Sequence, residues 1–263
     1  MSYADVNGLS LYYEEHGAGE PLVLLHGGIG ASEMFAAILD ELAETRRVIA
    51  VDLPGHGHTA AAGRPLRAEL LADDVAALVE HLGLGRADLM GYSLGGMVAL
   101  RTAIQHPDRV RRLVLVSIPF RRDGSFPEVL AAMDAMGPEL AEMIKAAPVY
   151  EHYARVAPDP DDWTAHIART AEVVKLDFDW SAEVAALTAP TMLVYADADS
   201  VRPDHMVEFY GLLGGGRRDA GVDGSGRPPG RLAILPGATH YDVVASPLLA
   251  ASVVPFLDAP GPR

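Results

Sequence analysis

Hydrophobic positions along the chain follow two rhythms. Residues 3–16 alternate around Asn7-Gly8, a dipeptide suited to a tight turn, and predict an antiparallel hairpin. Beyond it the apolar residues fall in short runs without alternation: Pro21–Leu25, Arg47–Val51, Ala87–Met90, Leu113–Ser117, Thr191–Ala196 and Leu232–Leu235. Such runs suit strands buried on both faces of a parallel sheet. Between them lie stripes of helical period. Phe35, Ile38, Leu39 and Leu42 form one, with Ser32 placed to cap it. Leu71, Val75, Leu78 and Leu82 form the next, with Gly83 at its stop. Met97, Val98, Leu100 and Ile104 precede Pro107, which blocks continuation. Met206, Val207, Tyr210 and Leu213 follow Pro203 and end at Gly214. Strands alternating with helices predict an α/β fold whose sheet is covered on both sides.

Two stretches break this rhythm. Residues 119–187 separate neighbouring strands by about seventy positions, too many for a plain loop, and carry helical pattern punctuated by prolines. They read as a helical insertion. The Gly/Pro/Arg-rich segment Gly214–Arg231 reads as a surface loop. It follows the helix that would lead from one parallel strand to the start of the next, so it is expected opposite the ligand-binding edge of the sheet.

Composition narrows the functions this fold can serve. The 263 residues include 21 Lys plus Arg against 36 Asp plus Glu, a net charge of −15. With no basic stripe, nucleic acid and anionic membrane surfaces are not expected partners. The absence of cysteine excludes thiol catalysis and cysteine-ligated metal. No secretory signal is visible at the start of the sequence, and no apolar run reaches 18 residues. A soluble, cytoplasmic protein is expected; the sequence does not indicate an oligomeric state.

The chemistry centres on Gly91-Tyr92-Ser93-Leu94-Gly95-Gly96, set between the strand at 87–90 and the following helix. A serine on such a strand-to-helix turn is held in a strained conformation that presents its hydroxyl above the sheet. Gly91 and Gly95 are expected because side chains there would collide across the turn. Serine needs a general base, and the base needs an orienting acid. Among ten histidines, His240 follows the last strand, at the carboxyl edge of the sheet. His16, His81, His106, His152 and His166 read instead as exposed or packing residues. Tyr195-Ala196-Asp197-Ala198-Asp199 places two carboxylates just past an earlier strand. Acyl transfer also needs two backbone donors for the oxyanion. The Leu94 amide supplies one, and the glycine loop His26-Gly27-Gly28-Ile29-Gly30 supplies the other from Gly28.

These segments, with Asp52-x-Pro54-Gly55-His56-Gly57-His58-Thr59, His106-Pro107-Asp108-Arg109-Val110 and Pro236-Gly237-Ala238-Thr239-His240, resemble the α/β-hydrolase fold family. The similarity is greatest to its small esterase, lactonase and cofactor-free haloperoxidase-like members. The resemblance implies a three-layer αβα sandwich with an eight-stranded, mostly parallel sheet whose second strand is antiparallel. It implies a core of residues 1–118 and 188–263 and a helical cap, 119–187, inserted after strand 6. It also assigns the triad acid to Asp199, in the order Ser93, Asp199, His240, and leaves Asp197 to shape its loop by capping local amides. The sequence departs from many relatives at Thr239 and Ala196, where glycine is common.

Other motifs weigh less. Residues 55–60 satisfy a dinucleotide-binding pattern, but Gly63 and Pro65 break the helix that should follow. Asp52, His56 and His58 lack the helical spacing of a metal site. The expected chemistry therefore needs neither metal nor organic cofactor. Met133, Met136 and Met143 read first as cap packing; with Ile29 and Tyr92 they are the candidate pocket residues. The expected function is hydrolysis of a small carboxylic ester or lactone through an acyl-enzyme. Perhydrolysis, C–C bond hydrolysis or acyl transfer on the same residues remains an alternative, as does a ligand sensor with slow hydrolysis.

Overall fold

A computed structural model describes residues 2–260. The hairpin forms from β1 (Ser2–Val6) and β2 (Leu9–His16), with Asn7 at φ 49° and Gly8 at φ 77° supplying the turn. β3 (Glu20–Leu25), β4 (Arg46–Val51), β5 (Ala87–Tyr92), β6 (Val110–Val116), β7 (Thr191–Ala198) and β8 (Arg231–Thr239) complete one eight-stranded sheet. Its order is β1-β2-β4-β3-β5-β6-β7-β8, with β2 antiparallel to both neighbours and β3 to β8 mutually parallel.

The missing alternation in the strand sequences has a direct cause: successive side chains serve two different cores. Leu22 and Leu24 pack with Phe35, with Ile38 and Leu42 of α1 (Ala36–Ala43), and with Leu249 and Val253 of the last helix. Val23 and Leu25 pack with Leu71, Val75 and Leu78 of α2 (Ala68–His81) and Val98 of α3 (Leu94–Gln105) on the opposite face. Every one of these side chains is essentially inaccessible. Burying each Leu or Val stabilises the fold by roughly 1.5–3 kcal/mol, and both faces must be covered to collect it.

Between β6 and β7 the chain forms α4 (Pro127–Ala135), α5 (Pro138–Met143), α6 (Pro148–Val156), α7 (Trp163–Lys175) and α8 (Ser181–Ala185). Proline opens α4, α5 and α6, where its missing N–H costs nothing. A small cluster of Ala141, Tyr153, Trp163 and Ile167 holds α5, α6 and α7 together. Val173, Trp180 and Val184 join the sheet's own core instead, so the segment is anchored to it. The chain ends with α9 (Pro203–Leu212) and α10 (Pro247–Leu257). Segment 214–231 leads from α9 into β8 where Arg231 pairs with Met192, at the amino end of the strands, as expected.

Two local expectations are corrected. Ser32 does not cap α1: residues 32–35 form a 3-10 turn with Ala31 before it. The buried Asp52 carboxylate accepts the Ser32 amide at 2.8 Å, drawing that segment into the loop after β4. Val207 is exposed, because α9 turns His205, Met206 and Phe209 inward.

Burial also sets how the fold responds to acid. His26, His56, His166 and His205 are inaccessible. Burial lowers His26 and His56 and pushes His166 and His205 down to about 4, with nearby Arg169 and Arg121 respectively adding to the effect. Unfolding returns each ring to about 6.5, so between pH of about 6.5 and 4 the unfolded chain binds more protons. For His166 and His205, stability present above that window is lost as pH falls through it, by up to about 1.4 kcal/mol per pH unit for each ring, and His26 and His56 act in the same direction. Asp74 and Asp88, raised by burial, oppose this only nearer the carboxylate range. Urea unfolding should show a lower midpoint at pH 5 than at pH 7; equal midpoints would mean that the rings protonate freely in the folded state.

No helix among the described residues is long and apolar enough to cross a membrane.

Candidate active site

The carboxyl ends of β3, β5, β6, β7 and β8 lie side by side, and the loops leaving them deliver the polar groups to one place. At the end of β5 the chain turns into α3 within a single residue, Ser93, which adopts φ 51° and ψ −119°. A non-glycine residue at such angles carries roughly 1–3 kcal/mol of strain. The surroundings hold it there: the Ser93 N–H donates to the Val116 carbonyl at 3.0 Å, and the Ser93 carbonyl accepts the Met97 N–H at 3.0 Å to begin α3. Glycine is required beside it. A Cβ on Gly91 would lie 2.2 Å from the Gly95 carbonyl oxygen, and one on Gly95 would lie 2.1 Å from the Leu25 carbonyl oxygen. Gly91 thus collides across the turn, as expected, whereas Gly95 collides with the end of β3.

The structure brings Ser93, His240 and Asp199 together. Ser93 Oγ is 3.2 Å from His240 Nε2, and His240 Nδ1 is 3.2 Å from Asp199 Oδ1. A carboxylate only accepts, so Nδ1 carries the proton and Nε2 is free to accept the Ser93 hydroxyl proton. Asp199 also accepts the Ala196 amide at 2.9 Å, the Ser200 amide at 2.8 Å and the buried Ser117 hydroxyl. Burial opposes its ionisation, but the hydrogen bonds from His240, Ser117 and Ala196 prevail and hold the carboxyl below its ordinary range. Asp197 lies elsewhere: its exposed carboxylate accepts the Gly237 amide at 3.0 Å, shaping the turn before His240.

Tyr92 contributes differently from a simple lining residue. Its hydroxyl donates to the His240 carbonyl at 2.6 Å, and its ring lies 5.4 Å from the imidazole. Burial pushes the phenol up, so it stays a donor. Tyr92 therefore fixes the loop that carries His240.

Gly28 and Leu94 face each other. A Cβ on Gly28 would lie 3.9 Å from Leu94 Cβ and 3.4 Å from Thr170 Cγ2. Leu94 is the first residue of α3, where the amide has no intrahelical acceptor and the helix dipole is positive. The loop carrying Gly28 is fixed by His26, whose Nε2 accepts the Leu53 amide at 3.0 Å. That leaves its Nδ1–H to donate to the Gly27 carbonyl at 2.7 Å.

Above Ser93 is a cavity of about 320 Å³ lined by Ile29, Tyr92, Met133 and Met136, with further residues of α4 and α7. Met143 does not reach it. Leu140 and Ala141 are the residues of α5 that pack inward, and Met143, at the end of that short helix, is 78% exposed. The lining residues that sequence reasoning missed include the polar side chains Ser117, Ser200 and Arg122. Ser117, at φ 55°, ends the run Leu113–Ser117, and a polar residue closing a buried strand at this edge was the available signal. Ser200 Oγ lies 2.9 Å from His240 Nδ1. No cluster of three or more histidine, aspartate or glutamate side chains suited to a metal occurs among the described residues.

A family model described as the alpha/beta hydrolase fold matches residues 20–148. The chain is 33% identical over 216 residues to a pimeloyl-[acyl-carrier protein] methyl ester esterase of Neisseria meningitidis serogroup B, covering 73% of this chain and 80% of that protein. It is 37% identical over 152 residues to the 2-hydroxymuconate semialdehyde hydrolase of Pseudomonas sp. (strain CF600), covering 54% of this chain and 52% of that one. The crystal structure of an E-2-(acetamidomethylene)succinate hydrolase superposes with a TM-score of 0.76 at 24% identity, covering 98% of both chains; that likeness is one of fold.

Proposed function

The chain belongs to the α/β hydrolase fold family, and from that premise we propose that it is a serine hydrolase of small carboxylic esters or lactones. The observation that carries the proposal is the relay of Ser93, His240 and Asp199 at 3.2 Å and 3.2 Å, with the serine strained into reach of the base. In this reading Ser93 Oγ attacks the carbonyl carbon while His240 Nε2 takes its proton. The oxyanion is received by the amides of Leu94 and Gly28, each worth roughly 3–4 kcal/mol in the transition state. His240 then protonates the leaving alkoxide, and the acyl group stays on Ser93. Water, deprotonated by His240, releases the acid and restores the serine. Asp199 keeps the imidazole in the Nδ1–H tautomer and stabilises the imidazolium. Residues 119–187 act as the cap that shapes the acyl and alcohol sides of the cavity.

Several features support an acyl substrate. The cavity is mostly apolar, and its volume suits a small molecule. The esterase among the relatives is matched over most of its length. A second reading, hydrolysis of a C–C bond on the same residues, is favoured by the identity to the 2-hydroxymuconate semialdehyde hydrolase.

A fluorophosphonate tests the proposal directly. The intact protein should gain one adduct, and peptide mapping should place it on Ser93. No adduct, or an adduct on another residue, would remove the assignment. Turnover of a 4-nitrophenyl ester compared with a vinylogous 1,5-diketone separates the two readings.

A further inference from the structure

The cavity over Ser93 has one feature that ester hydrolysis by itself does not require. Acidic residues outnumber basic ones by 36 to 21 in the chain, yet among the described residues no carboxylate lines this cavity and one arginine does, Arg122. A guanidinium in a largely apolar cavity is costly unless an acceptor meets it. Arg122 Nη2 is bound to Asp134 of α4, a carboxylate that is 59% exposed and does not line the cavity. Its Nε is buried and has no partner among the described residues. A guanidinium has five N–H donors in a planar fork, so Asp134 orients the group and leaves donors unused.

The cation is also held in place by its backbone. The Arg122 N–H donates to the Phe178 carbonyl at 3.0 Å, and the Gly124 carbonyl accepts the Arg202 N–H at 2.9 Å. Ser125, buried and lining the same cavity, pairs with Val201. The Phe126 N–H donates to the Ser200 carbonyl at 3.1 Å. This turn is therefore stitched to the loop that carries Asp199. Gly124 leaves no room for adjustment, since a Cβ there would lie 2.4 Å from His205 Nε2. A charge fixed this firmly loses little freedom when a ligand binds it.

We propose that Arg122, with the Ser125 hydroxyl beside it, forms an anion subsite, and that the preferred substrates are esters or lactones bearing a carboxylate remote from the scissile carbonyl. The proposal rests on the serine hydrolase reading and adds the substrate class. The carboxylate lies on the side of the cavity built by the Arg122–Ser125 turn, where it meets the guanidinium donors that Asp134 leaves unused. The reacting carbonyl lies between Ser93 and the Gly28 and Leu94 amides.

The test compares 4-nitrophenyl monoesters of succinic, glutaric and adipic acid with their methyl-capped neutral counterparts at pH 7.5. For at least one chain length the acid should be preferred at least tenfold in kcat/KM, mainly through KM, because charge-assisted hydrogen bonds have that order of effect. Arg122→Gln should collapse this ratio towards one and Arg122→Lys should restore part of it. A ratio within one variant is unaffected by loss of folded protein. A wild-type enzyme that handles the neutral esters as well at every length, or an Arg122→Gln variant that keeps the preference, would overturn the subsite. If no ester is hydrolysed and Ser93 is not labelled, it is the serine reading that fails. Calorimetric binding of monomethyl against dimethyl adipate then decides the subsite alone: an Arg122-dependent preference for the acid upholds it, and equal binding rejects it.

Discussion

Replacing Asp199 with asparagine should lower kcat for an activated ester by about 10⁴-fold, which corresponds to roughly 5.5 kcal/mol of barrier. Asp199 Oδ1 accepts from His240 at 3.2 Å and from the Ser200 amide at 2.8 Å, while Oδ2 accepts from Ala196 at 2.9 Å and from Ser117. An asparagine has one accepting atom where the carboxylate has two, so one backbone N–H must face an NH2 group. If the amide nitrogen points to Ala196, the Ser117 hydroxyl can rotate to accept. The carbonyl then still meets His240, but without charge to stabilise the imidazolium. If the amide nitrogen points to His240, the imidazole is forced into the other tautomer and Nε2 can no longer accept from Ser93. Both arrangements impair proton transfer. Asp197→Asn is the matched control, since its exposed carboxylate meets only the Gly237 amide, and activity should stay within a few-fold. Stopped-flow or steady-state turnover of both variants decides the matter. If Asp197→Asn silences the enzyme and Asp199→Asn does not, the acid has been misassigned.

How much of this was readable without coordinates depends on whether a residue's role is set by its own element. The strands were legible because burial on two faces leaves a local trace, an apolar run without alternation, as in Pro21–Leu25 and Leu113–Ser117. The elbow at Ser93 was legible because glycine at 91 answers a steric demand within a few residues, whereas the demand at 95 comes from the distant end of β3. Asp199 and Asp197 were not separable by chain pattern; the family resemblance chose between them, and geometry distinguishes them by burial and partners. Arg122, Ser200 and Met143 were not readable. Arg122 and Ser200 line the same cavity because the turn after β6 is bonded to the loop after β7, a pairing between distant segments, and the side on which Met143 falls depends on how α5 docks against its neighbours. Ser32 failed for a related reason: capping propensity is local, whereas the Asp52 carboxylate that takes its amide comes from another loop. The cavity wall is thus the least legible part of the molecule, and it carries the selectivity proposed above.

The second large effect is on the scaffold. Gly95→Ala should destabilise the protein by more than the roughly 1–3 kcal/mol usual for an overpacked core. The added Cβ would lie 2.1 Å from the Leu25 oxygen, 2.4 Å from the His26 oxygen and 2.4 Å from the Leu25 carbon. All three are main-chain atoms at the end of β3, in a strand buried on both faces, so no side-chain rotation relieves the contact. Relief requires α3 to move away from β3, and that motion separates the Leu94 amide from the Gly28 loop. Activity should then fall more than stability alone explains, by about a hundredfold or more for the folded fraction, the order seen when one oxyanion donor is lost. Gly211→Ala supplies the comparison: Gly211 lies within α9, a Cβ there meets nothing within 4 Å, and its φ is not in the left-handed region. That change should stabilise by about 0.5–1 kcal/mol through helix propensity. Thermal melts monitored by circular dichroism, with active sites titrated by fluorophosphonate, read both effects on the same samples. A Gly95→Ala protein with the wild-type melting temperature and turnover would show that α3 is not pressed against β3, and the proposed pair of oxyanion donors would lose its support.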